Sequence, residues 1–370
     1  MYRKTMKKKF SDAKDRVASA AKKPIALVSK PFKKKTETSG RITTDTLAEH
    51  RERVLAGGRR FKYPLQYARH RLVFNTIIIA IAVLVSLVAL VGWQLYKADN
   101  TSDFMYRVTR IVPLPVASVD GQPVRYSDYL MRLRSSVHYL EEKEQVSLRT
   151  PDGLARLDQV KRQEMNNVIA DAYAVKLADE KGITVPDSEL QLFLKQQRTS
   201  LSGEMSEATY NTVILDYYAW SPAEYEHAMY SKLLRQKVSY AVDDQATEAI
   251  NSALSQTKNG NANLQAIAEA LNKASANTAV FANSGLVPKD NQDGGLTAAA
   301  VKLDKNAISG IITPSTGDGY YLVKLVDSGD SVVSYDYIHI PLQAFEKLLV
   351  DLKADDKINE YIKVPSLPGE

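Results

Sequence analysis

Residues 72–96 read LVFNTIIIAIAVLVSLVALVGWQLY and contain no charged side chain. At about 1.5 Å per residue, a helix of this length can cross a hydrocarbon core of about 30 Å. Trp93 and Tyr96 stand at one end of the stretch, where membrane spans carry interfacial aromatic residues, and Arg71 and Lys97 flank it. The alternative is a helix buried in a soluble core, but such a helix usually has a polar stripe. The stretch therefore predicts a single transmembrane helix.

Basic and acidic residues are distributed unequally before and after this stretch. Residues 1–71 hold 21 Lys and Arg against 6 Asp and Glu, whereas the later residues hold 28 against 37. Because basic flanks stay in the cytoplasm, we expect a cytoplasmic N-terminus and extracytoplasmic domains after the span, in a single-pass protein of the cell membrane. The length of the leader and the lack of an Ala-x-Ala site argue against a cleaved signal peptide.

The tail of residues 1–71 is rich in Lys, Ser, Thr, Pro and Gly, so we expect it to be largely disordered. Beside a span, an anionic inner leaflet is a simpler partner for such a tail than nucleic acid, which we do not expect to be bound. Residues 46–55 are compatible either with an amphipathic helix on that leaflet or with a solvated helix.

The composition excludes several kinds of chemistry. The chain has no cysteine, so disulfides, thiol catalysis and thiolate metal sites are absent. A single apolar-Asp-Ser-Gly motif at residues 326–329 could serve an aspartic protease only in a symmetric dimer, and a turn explains it equally well. We expect neither a metal nor a cofactor, because no two histidines recur at i and i+4 among His50, His70, His138, His227 and His339.

After a polar linker (97–114), residues 115–240 are predicted to form a mostly helical domain. A hairpin opens it, since Asp120-Gly121 is a turn dipeptide between apolar strands, and Ser127 is the expected N-cap of the next helix. Gly182 is the expected C-cap of a later helix, and residues 221–224, Ser-Pro-Ala-Glu, are predicted to form a capping box.

Residues 241–343 alternate short strands and helices, which indicates a small α+β domain. We expect strands at 238–242, 308–312, 320–326 and 332–342, with short helices between some of them. Residues 344–362 are predicted to be a helix, and residues 344–364 to complete the helical domain.

The helical part resembles the N-terminal chaperone domain of the SurA/PrsA/PpiD class of extracytoplasmic foldases. The resemblance is carried by VASVDGQPVRYSDYLMRL from Val116, LADEKGITVPDSELQLFL from Leu177, and YNTVILDYYAWSPAEYEHAMYSKLLRQKV from Tyr210. A single span ahead of such a domain is the arrangement of PpiD-like proteins. The resemblance implies a single transmembrane helix, a mostly α-helical SurA-N-like domain and, after it, a small α+β parvulin-like domain.

The second domain resembles a parvulin-type prolyl isomerase through residues 294–327, GGLTAAAVKLDKNAISGIITPSTGDGYYLVKLVD. Parvulins place one histidine on their first strand and another on their last. Here Tyr321 takes the last position, the strand expected around Tyr240 lacks the His-Ile-Leu pattern, and Leu296 replaces a phenylalanine. The pair His339-Ile340 lies after this stretch. It resembles either the start of a second, truncated parvulin unit or a strand added to the first parvulin unit.

The expected function is that of a membrane-tethered extracytoplasmic chaperone that holds unfolded or extended polypeptides. Isomerase activity is expected to be weak or lost, because the usual histidines are displaced; Tyr321 and His339 are the candidate catalytic residues. Leu296 and Tyr240 are candidates for substrate binding. An aromatic cluster could grip client segments, although such clusters are more often core: Tyr217, Tyr218, Trp220 and Tyr225. An active isomerase with a rearranged pocket and a non-catalytic envelope scaffold are the alternatives.

Overall fold

The computed structural model describes residues 43–200, 203–259 and 263–366, without the side chains of 58–70 and 200. The first helix, α1 (Thr44–Tyr96), contains the segment Arg71–Tyr96, which is long and apolar enough to cross a membrane. The tail that we expected to be disordered lies outside the described residues up to residue 42 and is helical from Thr44 onward.

The predicted hairpin is confirmed. Strands β1 (Pro115–Val119) and β2 (Gln122–Arg125) pair antiparallel, and Asp120 and Gly121 make the turn with φ of 45° and 83°. Ser127 is not the N-cap of the next helix, α3 (Tyr126–His138), which begins directly after β2. The strand enters the helix without a loop because the Tyr126 amide donates to the Leu114 carbonyl, 2.8 Å away.

The predicted polar linker contains a helix. Strand β1 is preceded by α2 (Asp103–Ile111), whose Met105, Tyr106 and Thr109 side chains are buried. Its nine residues are too few to form a stable helix alone, so packing against the rest of the fold holds it.

The helical part continues with a π-helical turn (Tyr139–Lys143) and with four helices: α4 (Pro151–Lys181), α5 (Asp187–Arg198), α6 (Glu207–Tyr218) and α7 (Pro222–Val242). A two-residue hairpin, β3 (Thr199–Ser200) and β4 (Gly203–Glu204), follows α5. The Gly182 C-cap, with φ of 68°, and the Ser221–Glu224 capping box are both confirmed.

Helix α7 overturns the predicted strand at 238–242. The helix runs to Val242, so Tyr240 lies on a helix and not on a first strand. Leu234 and Val238 are buried one turn apart on the same face of α7. Their helical packing outweighs the preference of the Val-Ser-Tyr-Ala-Val sequence for a strand.

The strand-rich part has one antiparallel sheet with β8 in its centre. Two helices, α8 (Asp244–Lys258) and α9 (Leu264–Ala274), precede strands β5 (Val280–Asn283) and β6 (Val287–Pro288). The short helix α10 (Leu296–Ala300) leads to β7 (Gly319–Ser328) and β8 (Val332–Pro341). Strand β8 pairs with β7 on one side and with β5 and β6 on the other, so His339 belongs to this sheet and not to a second unit.

Both faces of the sheet are covered. Leu322 and Ile338 pack with α8 and α9, whereas Val323 and Tyr335 pack with α10. The predicted strand at 308–312 is reduced to two isolated bridges, from Ile308 and Ile312 to β7.

The C-terminal segment returns to the helical part. Helix α11 (Ala344–Ala354) ends eight residues earlier than predicted, and β9 (Ile358–Glu360) follows it. Asp356, with φ of 53°, turns the chain out of the helix, and β9 pairs antiparallel with β1. Phe345, Leu352 and Ile362 lie in the same buried cluster as the hairpin and helices α3, α4, α5 and α7.

Candidate functional site

A partly open cavity of about 760 Å³ lies between α4, α7, α11 and the loop that leads into β7. Its apolar lining comes from α4, from α11, from β9 and from the residue after β8: Ile169, Ala170, Leu342, Phe345, Leu349, Val350 and Ile358. Charged side chains of both signs share the lining: Lys232, Arg235, Asp318, Glu346, Lys353 and Glu360. The cavity therefore offers an apolar surface beside groups that can bind a peptide backbone.

Helix α7 supplies the cationic side of the cavity. Burial, and next the neighbouring Arg235, lower the pKa of Lys232, whose Nζ lies 5.8 Å from the centre of the Phe193 ring. Arg235 extends toward Asp171 of α4, with 3.2 Å between its Nη1 and Oδ1. The positions of both cationic side chains are thus set by contacts within the helical part.

Asp318 lies at the opposite wall and organises the loop before β7. Its carboxylate accepts hydrogen bonds from the Thr316 hydroxyl at 2.6 Å and from the Tyr321 hydroxyl at 2.7 Å. Burial by itself raises the pKa of Asp318, but these hydrogen bonds, and the nearby His339, bring the pKa below its usual value. Burial and the bond to Asp318 raise the pKa of Tyr321.

Tyr321 and His339, the two predicted catalytic residues, are brought together on β7 and β8. Their rings stack with centres 4.4 Å apart and planes inclined by 11°. His339 Nε2 also lies 3.3 Å from the Asp318 carbonyl oxygen. Leu296 is buried in the same cluster as Tyr321. The Tyr321 and His339 side chains thus both contact the loop that carries Asp318.

Tyr240 and Gln236 hold this loop against α7. The Tyr240 hydroxyl donates to the Gly319 carbonyl at 2.7 Å, and burial raises the pKa of Tyr240 to about 12. Gln236 Nε2 donates to the Thr316 carbonyl at 2.8 Å. A Cβ on Gly317 would lie 2.3 Å from Gln236 Nε2, so the loop approaches α7 as closely as a glycine permits.

The predicted aromatic cluster lies elsewhere on the helical part. Tyr218 and Trp220 stack with centres 5.2 Å apart, and Trp220 Nε1 donates to the Met131 carbonyl. Tyr225 is buried and hydrogen-bonded to Tyr210, which gives it a role in the core. Tyr217 and Tyr218 remain more than 40% exposed. No member of the cluster lines the cavity described above.

Other candidate chemistry has a structural explanation. Asp327, from the apolar-Asp-Ser-Gly motif, forms an exposed ion pair with Lys305, with 3.0 Å between Oδ1 and Nζ. Within residues 43–200, 203–259 and 263–366, no group of three acidic, His or Cys side chains is arranged to hold a metal ion.

One family model matches the chain. Residues 65–239 match the SurA-like N-terminal domain, a range that runs from within α1 through most of α7. The match supports a SurA-like chaperone domain in the helical part of the chain. Neither the curated proteins nor the solved structures include a match.

Proposed function

We propose that this chain is a membrane-tethered extracytoplasmic chaperone that holds extended segments of unfolded polypeptides in the cavity between α4, α7 and α11. The match of residues 65–239 to a SurA-like N-terminal domain supports a chaperone-type role outside the cytoplasm. The observation that carries the choice of site is the cavity itself, which combines an apolar lining with charges of both signs.

The lining suits a client of variable sequence. Phe345, Leu349 and Val350 offer apolar contact without a demand for one side-chain shape. Lys232 and Glu346 lie where they can meet the carbonyl and amide groups of an extended backbone. Holding a client in this way shields its apolar surface until the client buries that surface itself.

The tether makes weak binding sufficient. Segment Arg71–Tyr96 has the length and composition of a span, and the helical part follows it directly in the chain. A chaperone fixed at the membrane meets clients that emerge there at a high effective concentration, so an individual contact need not be strong.

The strand-rich part contributes a wall of the cavity through Thr316, Gly317 and Asp318. We propose that it has a parvulin-like origin with weak or no isomerase activity. Catalysis of isomerisation needs polar groups that meet the twisted amide of the substrate. Here the Tyr321 hydroxyl already donates its hydrogen bond to the Asp318 carboxylate, so it is not free to donate to a substrate amide.

The alternative is an active prolyl isomerase with a rearranged pocket. It is favoured by one observation, the convergence of Tyr321, His339 and the buried Leu296. A non-catalytic envelope scaffold is the third possibility, and constant co-purification of one partner would favour it.

The test uses the full chain in lipid nanodiscs and measures the suppression of aggregation of a chemically denatured client. Val350 lines the cavity and is 65% exposed, so Val350→Glu can change the lining without opening the core. Leu286, 73% exposed and outside the lining, provides the matched control Leu286→Glu. We expect Val350→Glu to raise the concentration needed for suppression several-fold and Leu286→Glu to have no effect. Equal activity of both variants would exclude the cavity as the client site.

A further inference from the structure

Helix α2 has a second face that the fold leaves uncovered. Met105, Tyr106 and Thr109 are buried, whereas Phe104 is 66% and Ile111 is 82% exposed. Phe104 and Ile111 are seven residues apart and therefore lie on one side of the helix. Exposed Arg107 lies between them on the same side. The uncovered face is thus apolar at both ends and cationic in the middle.

The start of α2 lies close to the end of the apolar helix. The Asn100 amide donates to the Gln94 carbonyl at 3.1 Å, and Asn100 Nδ2 donates to Gln94 Oε1 at 2.9 Å. The chain therefore folds back onto the last turn of α1 before α2 begins at Asp103. Three residues reach at most about 10 Å, so α2 begins near the level of Gln94 and Trp93.

The end of α1 is fixed to the helical part. Leu95 is fully buried, and its carbonyl accepts a hydrogen bond from the Tyr126 hydroxyl at 2.9 Å. The Tyr96 hydroxyl donates to the Pro115 carbonyl at 2.7 Å. These contacts replace a free linker, so the helical part cannot move far from the end of the apolar helix.

The buried face of α2 fixes the direction of the uncovered face. The Tyr106 hydroxyl donates to Glu224 Oε1 at 2.5 Å, and the Arg134 guanidinium lies 4.9 Å from the centre of the Tyr106 ring. Asp103 forms an ion pair with Arg134. Phe104 and Ile111 therefore cannot turn inward without breaking these contacts.

We propose that α2 lies on the outer surface of the lipid bilayer as a second membrane contact. Phe104 and Ile111 enter the boundary between headgroups and acyl chains, and Arg107 binds lipid phosphates. Lipid is the partner that the chain itself indicates, because α2 follows the apolar helix and begins near the depth of Trp93, the interfacial residue of that helix. The proposal rests on the proposed tether. Its consequence is a fixed orientation of the client cavity above the membrane.

The test exploits the absence of cysteine from the chain. Single cysteines at Ile111, Leu87 and Leu286, all exposed positions, would carry a fluorophore in the full chain reconstituted with anionic phospholipid and nitroxide-labelled lipid. We expect lipid quenching at Ile111 as strong as at Leu87 of the apolar helix, and none at Leu286. Quenching at Leu87 without quenching at Ile111 would overturn the α2 contact and leave the tether intact. The loss of quenching at both positions would overturn the tether itself.

A charge reversal provides the second measurement. In the chain labelled at Ile111, Arg107→Glu should abolish the quenching by removing a phosphate ligand and adding a repelled carboxylate. Arg149→Glu, at an exposed position outside α2, provides the matched control and should retain the quenching. Equal quenching in both variants would show that α2 contacts the lipid without this arginine, which contradicts the proposed role of Arg107.

Discussion

Tyr321 and His339 are direct partners across β7 and β8, and their stacked rings both contact the loop that carries Asp318. The pairing fixes the loop from the sheet side, while Gln236 and Tyr240 fix it from α7. The two residues thus hold the loop whose Thr316, Gly317 and Asp318 form a wall of the cavity, and this role does not require them to act on a substrate.

We predict that the full chain leaves the isomerisation of a short Xaa-Pro peptide at its uncatalysed rate. The Tyr321 hydroxyl is bonded to Asp318, and the ring is only 8% exposed, so a substrate amide has no free donor there. A protease-coupled assay measures the rate. Catalysis that is lost in Tyr321→Phe but kept in the exposed control Tyr361→Phe would instead establish an enzyme with a relocated site.

Asp293 should make the strand-rich part sensitive to acid. Burial raises its pKa, but hydrogen bonds from Thr297 and Tyr335 outweigh burial, and the pKa is lowered. A carboxyl whose folded pKa lies below its unfolded value of about 3.9 stabilises the fold above that pH. The stabilisation is lost as the pH falls through the folded pKa.

Asp293→Asn should therefore lower the free energy of unfolding at neutral pH by about 1 kcal/mol and flatten its decline below about pH 4. Denaturant unfolding followed at several pH values measures both effects. Asp290→Asn, at an exposed position three residues away, should behave as the unchanged chain. Equal flattening in Asp290→Asn would mean that the acid response does not come from the Asp293 hydrogen bonds.

Among the residues that hold the C-terminal segment, Arg162 should cause the largest loss of stability when it is replaced. Its buried guanidinium donates to Glu360 Oε1 at 2.5 Å and to the carbonyls of Val364 and Pro365 at 2.7 and 2.9 Å. Arg162→Ala leaves these acceptors without their donor and should lower the free energy of unfolding by about 3 kcal/mol. Urea unfolding provides the measurement, with exposed Arg156→Ala on the same helix as the control. Similar losses in the two variants would contradict the anchoring role.

Gly317 should show a coupling to Gln236. At φ of 74°, an alanine at Gly317 is strained, and its Cβ would also overlap the Gln236 side chain. Gly317→Ala should lower the free energy of unfolding by about 2 kcal/mol, and in combination with Gln236→Ala the loss should be smaller than the sum. Gly285→Ala, at φ of 65° with no atom within 4 Å of its Cβ, measures the backbone strain alone. Strict additivity would show that the loop can move away from α7.

Local signals in the sequence were sufficient for the hairpin, the Gly182 C-cap and the Ser221 capping box, because each depends on a few adjacent residues. Contacts distant in sequence decided the rest. Helix α2 is held by a partner on α7, and the preference of residues 238–242 for a strand yields to the packing of Val238. Asp318 could not be singled out from the sequence, because His339 becomes its neighbour only when β7 and β8 pair, and its loop meets Gln236 and Tyr240 only in the folded chain.

The pairing of β9 with β1 has a consequence for how the molecule is made. In synthesis from the N-terminus, β1 leaves the ribosome long before Ile358–Glu360 exist to cover its edge. Until then Val116 and Val119 lack part of the packing that buries them in the folded protein. The large separation of β1 and β9 in the sequence makes the pairing of the two strands slow. A chain truncated before Ile358 lacks the strand that pairs with β1 on this side, so its first sheet keeps an open edge. During this interval, the nascent protein exposes apolar surface of the kind that it is proposed to shield in its clients.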